Sequence, residues 1–215
     1  MPVRKELIEA CHRVYEKGFV AAYDGNLSAR LSEGRILITP SAKCKGEVEE
    51  QDLLEIDLHG HLLEGKGKVS TEVKIHLLAY QERKDVNSVI HCHPIYSTAF
   101  ASTRGEGFGK PVFPEVILSL GKVPLCRYGT PSTDELPESI RPHIHSSWAF
   151  LLENHGAVTL GRSVKDAYFK MEKLEHAAQT LYIARSLGGE KPLSGENLKK
   201  LYDIAEKVYG LKINK

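Results

Sequence analysis

The 215-residue sequence predicts an α/β domain with a largely antiparallel sheet, and three observations carry that reading. Short runs rich in Leu, Ile and Val recur between tight turn signals, as strands joined by hairpins do. Stretches with apolar residues three and four apart fall among them, as covering helices do. No internal repeat and no Gly/Pro/Ser-rich linker divides the chain, so the elements belong to one domain over residues 1–215. Composition agrees: 41% hydrophobic and 27% charged residues with net charge +1 fit a globular protein and offer no basic face for nucleic acid or an anionic membrane. There is no run long enough to span a bilayer. The first ten residues are charged and helix-like, unlike a signal peptide. Cys11, Cys44, Cys92 and Cys126 form no C-x-x-C pair, which points to reduced thiols in a cytoplasmic protein rather than a disulfide framework.

Leu7, Ile8, Cys11, Val14 and Tyr15 recur at helical spacing, and Gly18 is a natural stop. Asp24-Gly25-Asn26 is turn chemistry. Leu27–Leu31 and Arg35–Thr39 read as strands joined at Glu33-Gly34, and Leu53–Leu58 as a third. His59-Gly60-His61 turns the chain into Leu62-Leu63. Ser70 reads as the N-cap of a helix running through Tyr80. Ser88–Pro94 reads as a strand, Ser97–Arg104 as a helix, and 104–110 as a glycine-rich loop. Val116-Ile117-Leu118 is a short apolar run, and Val123–Cys126 suits an edge strand because Pro124 withholds a ladder donor. Asp134–Ile144 looks like a short helix interrupted by prolines. Ala149–Leu152 and Ala157–Leu160 are strands around the turn Asn154-His155-Gly156. Ser163 caps a long helix with the stripe Ala167, Met171, Leu174, Ala178 and Leu181, and a last helix covers Ser194–Tyr209.

Chemistry concentrates at Ser88-Val-Ile-His91-Cys92-His93-Pro94. On a strand, His91 and His93 share one face and Cys92 takes the other, so the two imidazoles form a ready metal-ligand pair. The plain alternative is a half-buried strand with incidental histidines. The pair His59/His61 straddles a turn glycine and His143/His145 sits in a polar segment, so both suit solvent better than a ligand site. His155, in its tight turn between two apolar strands, is the candidate third ligand, against a turn histidine in water. Glu175-His176 fits a solvated helix face. Ser70-Thr71-Glu72 opens a helix, where free N–H groups and hydroxyls suit a phosphate; simple capping explains the same residues.

Together these segments resemble the class II aldolase and adducin-head family, and within it the L-fuculose-1-phosphate aldolases. The matching pieces are Gly25-Asn26-Leu-Ser-Ala-Arg30, Leu37-Ile-Thr-Pro-Ser41, Ser70-Thr71-Glu72, Val89-Ile-His-Cys-His93, Glu153-Asn-His-Gly156 and the tail Tyr209-Gly-Leu-Lys-Ile213. Each is short; their shared order is specific. The resemblance implies a single three-layer domain with helices on both faces of the sheet. It implies one Zn2+ per subunit held by His91, His93 and His155, with Glu72 able to join them. Gly25, Asn26, Ser41, Ala42, Ser70 and Thr71 would take the phosphate of a phosphorylated ketose, in a homotetramer whose active sites lie between subunits.

The implied reaction is reversible cleavage of a ketose 1-phosphate to dihydroxyacetone phosphate and a short aldehyde. Glu72 would move the proton at the carbon that becomes a methylene, and Tyr209 of a neighbouring subunit, or Glu115, would handle the proton on the aldehyde oxygen. Two departures from the pattern matter. Ala42 stands where a glycine is usual, and Lys43 is a possible compensation. Glu115 stands where the fuculose enzymes carry tyrosine and where the related methylthioribulose-1-phosphate dehydratases place a catalytic glutamate. Those dehydratases lack the glutamate that follows the hydroxyl pair, whereas Glu72 is present here. A non-catalytic interaction module of the adducin type is disfavoured by the three histidines.

Overall fold

The computed structural model describes residues 2–210. The part of the tail motif from Leu211 to Ile213 lies outside the described residues. The strands are β1 (Asn26–Ser32), β2 (Arg35–Ile38), β3 (Leu54–Asp57), β4 (Leu62–Glu64), β5 (Ser88–Cys92), β6 (Leu125–Cys126), β7 (Ala149–Leu152) and β8 (Gly156–Gly161). The helices are α1 (Pro2–Glu16), α2 (Val73–Glu82), α3 (Ile95–Ala101), α4 (Pro114–Leu120), α5 (Glu135–Ile140), α6 (Val164–Ser186) and α7 (Gly195–Tyr209).

All eight strands form one sheet in the order β4-β3-β2-β1-β5-β8-β7-β6. Every ladder is antiparallel except β6 with β7. The period of two along the strands sends alternate residues into two cores. Leu27, Leu37, Ile90, Cys92, Leu151 and Ala157 pack against α1, α3 and α6. Ile36, Ile38, Val89, Phe150, Val158 and Leu160 pack against α2, α5 and the inner side of α7. The architecture is therefore the expected three-layer class II aldolase-like arrangement, an antiparallel-dominated sheet with helices on both faces. No helix among the described residues is long and apolar enough to cross a membrane.

Local chemistry explains most boundaries. Ser163 Oγ accepts from the Asp166 N–H at the start of α6, and Ser194 Oγ does the same for Asn197 in α7. Gly210, with φ of 62°, closes α7 in the left-handed conformation. Some expectations need correction. The helix expected from Ser70 begins at Val73; the Ser70 carbonyl accepts from the Val73 N–H in a turn, and Ser70 Oγ faces Asn26 and Glu72 instead of capping. The apolar run at Val116 is helical, with Pro114 in the first turn where its missing N–H costs nothing. The expected edge strand shortens to Leu125-Cys126, leaving Pro124 outside the ladder.

Glu175 is the clearest surprise. Its sequence context predicts a solvated helix face, yet its carboxylate accepts from the N–H groups of Tyr96 and Ser97 and from Ser97 Oγ, each at 2.8 Å. It caps α3 and ties the chain leaving β5 to α6. No sequence period marks that role, because the partner lies 78 or 79 residues away.

Candidate metal and phosphate site

The site forms where two neighbouring central strands end. His91 is the penultimate residue of β5, His93 follows its last residue, and His155 sits in the turn between β7 and β8. That turn is held open by Asn154, whose φ of 56° is left-handed; asparagine tolerates this conformation better than most side chains. The three imidazoles converge, with ring centroids 4.8–5.1 Å apart and one nitrogen from each within 4.8 Å of the others. Cys92 points away into the core, where burial pushes its thiol up.

The donor chemistry fits a cation. His91 Nδ1 lies 3.0 Å from the Ala157 carbonyl, which requires the hydrogen on Nδ1 and leaves the Nε2 lone pair facing inward. Burial pushes His91 down to about 3, so the ring is neutral. Its Nε2 lies 3.1 Å from Nε2 of His93. The two nitrogens thus face one point, where a shared cation could take a lone pair from each. The buried Nδ1 of His155 has no hydrogen-bond partner among the described residues, so that nitrogen is not committed elsewhere. Three imidazoles suit zinc and several other transition ions.

Glu72 faces this triad. Its Oε1 lies 3.1 Å from His155 Nε2 and its Oε2 3.5 Å from His91 Nε2. Burial disfavours its charge, but the bond to His155, the fields of His91 and His155 and the Asn26 amide together hold the carboxyl well below the usual range. Asp24 Oδ2 lies 3.7 Å from His93 Nδ1, close enough to favour a hydrogen there. The sequence offered Asp24 only as a turn residue.

A cleft of about 310 Å³ adjoins the triad, lined among others by Gly25, Asn26, Ser41, Ala42, Ser70, Thr71, Glu72 and His93. All six expected phosphate-cleft residues thus meet beside a histidine of the triad. Ser132, unforeseen, joins them through a 2.6 Å bond between its hydroxyl and that of Thr71. Ala42 has φ of 57°, which explains why glycine is usual there; the alanine bears strain of about 1–2 kcal/mol. Lys43 is not part of the cleft wall and pairs with Asp52 at 3.1 Å. The unexpected lysine is Lys45, fully buried, whose Nζ donates to the carbonyls of Lys43 and Tyr23 at 2.7 and 3.1 Å. It fastens two loops that shape the cleft. Lysine is so seldom buried that nothing in the chain's pattern singles it out.

Glu115 and Tyr209 line a separate cleft of about 330 Å³, with Arg162, Asp166, Lys170 and Lys173. Within one chain they stand together and apart from the histidines.

Two glycines make the close approaches possible. A Cβ on Gly25 would lie 2.7 Å from the His91 carbonyl, and φ there is 72°. A Cβ on Gly156 would lie 2.5 Å from His93 Cδ2 and 2.6 Å from the Cys92 carbonyl. Gly156→Ala is therefore expected to push the His93 ring out of the triad and weaken metal binding by roughly 10–100-fold, on the scale of disturbing a ligand's support. A chelator competition titration measures it; unchanged affinity would show that the ring has room to yield.

Comparison with known proteins follows the same lines. A family model described as the class II aldolase and adducin N-terminal domain matches residues 5–182. L-Fuculose phosphate aldolase of Methanococcus maripaludis (strain C5) is 34% identical over 181 residues, covering 84% of this chain and 96% of that protein. The 3-oxo-tetronate 4-phosphate decarboxylase of Escherichia coli K12 is 31% identical over 194 residues, 89% of each. Among solved structures, YgbL of Escherichia coli, a candidate aldolase, epimerase or decarboxylase, superposes with a TM-score of 0.86 at 30% identity, covering 94% of this chain and 98% of that one.

Proposed function

The chain belongs to the class II aldolase and adducin N-terminal domain family, and from that premise we propose that it is a cytoplasmic, zinc-dependent lyase. Its reaction is reversible cleavage of a ketose 1-phosphate, L-fuculose 1-phosphate or a near relative, to dihydroxyacetone phosphate and a short aldehyde. The observation that carries this reading is the convergence of His91, His93 and His155 on the Glu72 carboxylate beside a hydroxyl-lined cleft.

Breaking a carbon–carbon bond next to a ketone leaves its electron pair as an enediolate, and that charge dominates the barrier. Held by His91, His93 and His155, a zinc ion would supply Lewis-acid stabilisation of that charge, so no lysine Schiff base is needed. The remaining work falls to this chain's own side chains. Ser41, Ser70 and Thr71, with the Asn26 amide, hold the phosphate as a handle whose binding energy orients the reacting carbons. Glu72 points into the site and, as the carboxylate, takes the proton from the methylene carbon in condensation; in cleavage the resulting carboxylic acid returns it to the same carbon. The proton on the oxygen that becomes the aldehyde is handled by Tyr209, or by Glu115, of an adjacent subunit in a homotetramer.

The decarboxylase relative supports a second reading. A 3-oxo acid bearing a terminal phosphate loses CO2 and leaves the same enediolate, which the same glutamate can protonate. Only the leaving group differs. The test is an assay of the zinc-loaded protein over ketose 1-phosphates and 3-oxo-tetronate 4-phosphate, with and without chelator. Dihydroxyacetone phosphate with an equimolar aldehyde is expected, abolished by chelator and restored by zinc. Release of CO2 from the 3-oxo acid alone would assign the decarboxylase; no product from either class would overturn the lyase reading.

The intersubunit site has its own check. Glu72→Gln and Tyr209→Phe chains are each expected to be impaired, and mixed assemblies unfolded and refolded together should regain part of the lost activity. Absence of recovery would place both groups in one chain's site or remove Tyr209 from it.

A further inference from the structure

A line of hydrogen bonds runs to Glu72 through Tyr80, Ser28 and His76, none of which lines the cleft, and then through Asn26, which does; donor bookkeeping fixes its direction. The direction is set at the Glu72 end, where a carboxylate can only accept and so the Asn26 NH2 must face it, with Nδ2 2.9 Å from Oε2. Asn26 Oδ1 is thereby turned to His76 Nε2, 2.6 Å away, which carries the ring's hydrogen and donates it. With Nδ1 left as an acceptor, Ser28 spends its single hydrogen on it at 2.6 Å. The Tyr80 hydroxyl hydrogen then goes to Ser28 Oγ, 2.7 Å away. Reversing any link would strand the Tyr80 hydrogen or set the Asn26 carbonyl against a carboxylate.

We infer that His76 is a positioning residue: through Nε2–H it fixes the Asn26 amide with its NH2 toward Glu72, and so aims the Glu72 carboxylate between His91 and His155. Ser28 and His76 are both fully inaccessible to solvent and Tyr80 nearly so, so no water competes for these bonds. Burial also pushes His76 down to about 4, which keeps it in the neutral form with one donor and one acceptor.

One arm of the test reads structure and is independent of any substrate. In the 15N-labelled, zinc-loaded protein, long-range proton–nitrogen correlation is expected to show His76 as the Nε2–H tautomer from pH 6 to 8. Tyr80→Phe, which keeps the ring and removes the donor, should mix in the Nδ1–H form. A pure Nδ1–H tautomer, or a protonated ring, in the parent protein would overturn the inference. The other arm rests on the lyase reading. His76→Leu should keep one zinc per chain and a KM within about threefold, while kcat falls about 10–100-fold, the scale of a hydrogen bond to a charged group. His76→Gln, which still offers a donor near Nε2, should recover most of kcat. Parental kcat in His76→Leu, or equal losses in both variants, would overturn it. A parent without lyase activity would sink the lyase reading and leave the tautomer measurement to judge this one.

Discussion

Glu72→Gln is expected to keep its zinc and lose turnover by roughly 10²–10⁴-fold, the usual worth of a positioned acid or base. The amide has nearly the carboxylate's shape, and the His91 ring and the main chain of the other two histidines are placed without Glu72. His91 is set by the Ala157 carbonyl, and the main chain at His93 and His155 is fixed by N–H bonds to Phe19 and Leu152. What disappears is the only carboxylate within reach of both His91 and His155 among the described residues. Metal analysis beside steady-state rates separates the two effects. Parental activity with full metal would remove Glu72 from proton transfer, and loss of metal would make it a ligand first.

His155→Ala should lose zinc outright. A site of three imidazoles reduced to two retains affinity lower by more than about 100-fold, beyond the cost of losing a ligand's outer partner. The turn itself should survive, because its left-handed residue is Asn154 and its closing bond, from the His155 N–H to the Leu152 carbonyl, is made by main chain. Circular dichroism should thus stay unchanged while chelator competition shows weak binding. Stoichiometric zinc with parental affinity would exclude His155 from the site.

The parts legible in the sequence were those encoded locally. The strand alternation that pairs His91 with His93 and turns Cys92 away is visible in seven letters, and the packing follows it. The hydroxyl-bearing loops were legible as motifs in order, and they meet in one cleft. What stayed hidden depends on partners distant in the chain. His76 lies in Ile-His-Leu-Leu-Ala, a run whose apolar character conceals a polar side chain bonded to Ser28, 48 positions earlier. Glu175 looks like any surface glutamate until α3 is placed against it. Lys45 looks like one lysine among several in a charged loop, and only the three-dimensional closure of that loop buries it. The N-cap of α2, Glu72, lies two residues beyond the expected cap because Ser70 has the chemistry of a cap and uses it on Asn26 and Glu72.

The register of β5 with β8, His91 opposite Val158 and Cys92 opposite Ala157, lies inside the sheet with four strands on one flank and two on the other. Amides on these two strands should exchange with deuterium only when the whole sheet opens. A zinc finger melts when its ion is withdrawn; here the three histidines stand on or beside the ends of central strands that are expected to be among the last to exchange. Ion loss and return should therefore run through the cleft on a timescale of their own, much faster than deuterium enters the strands that carry the ligands.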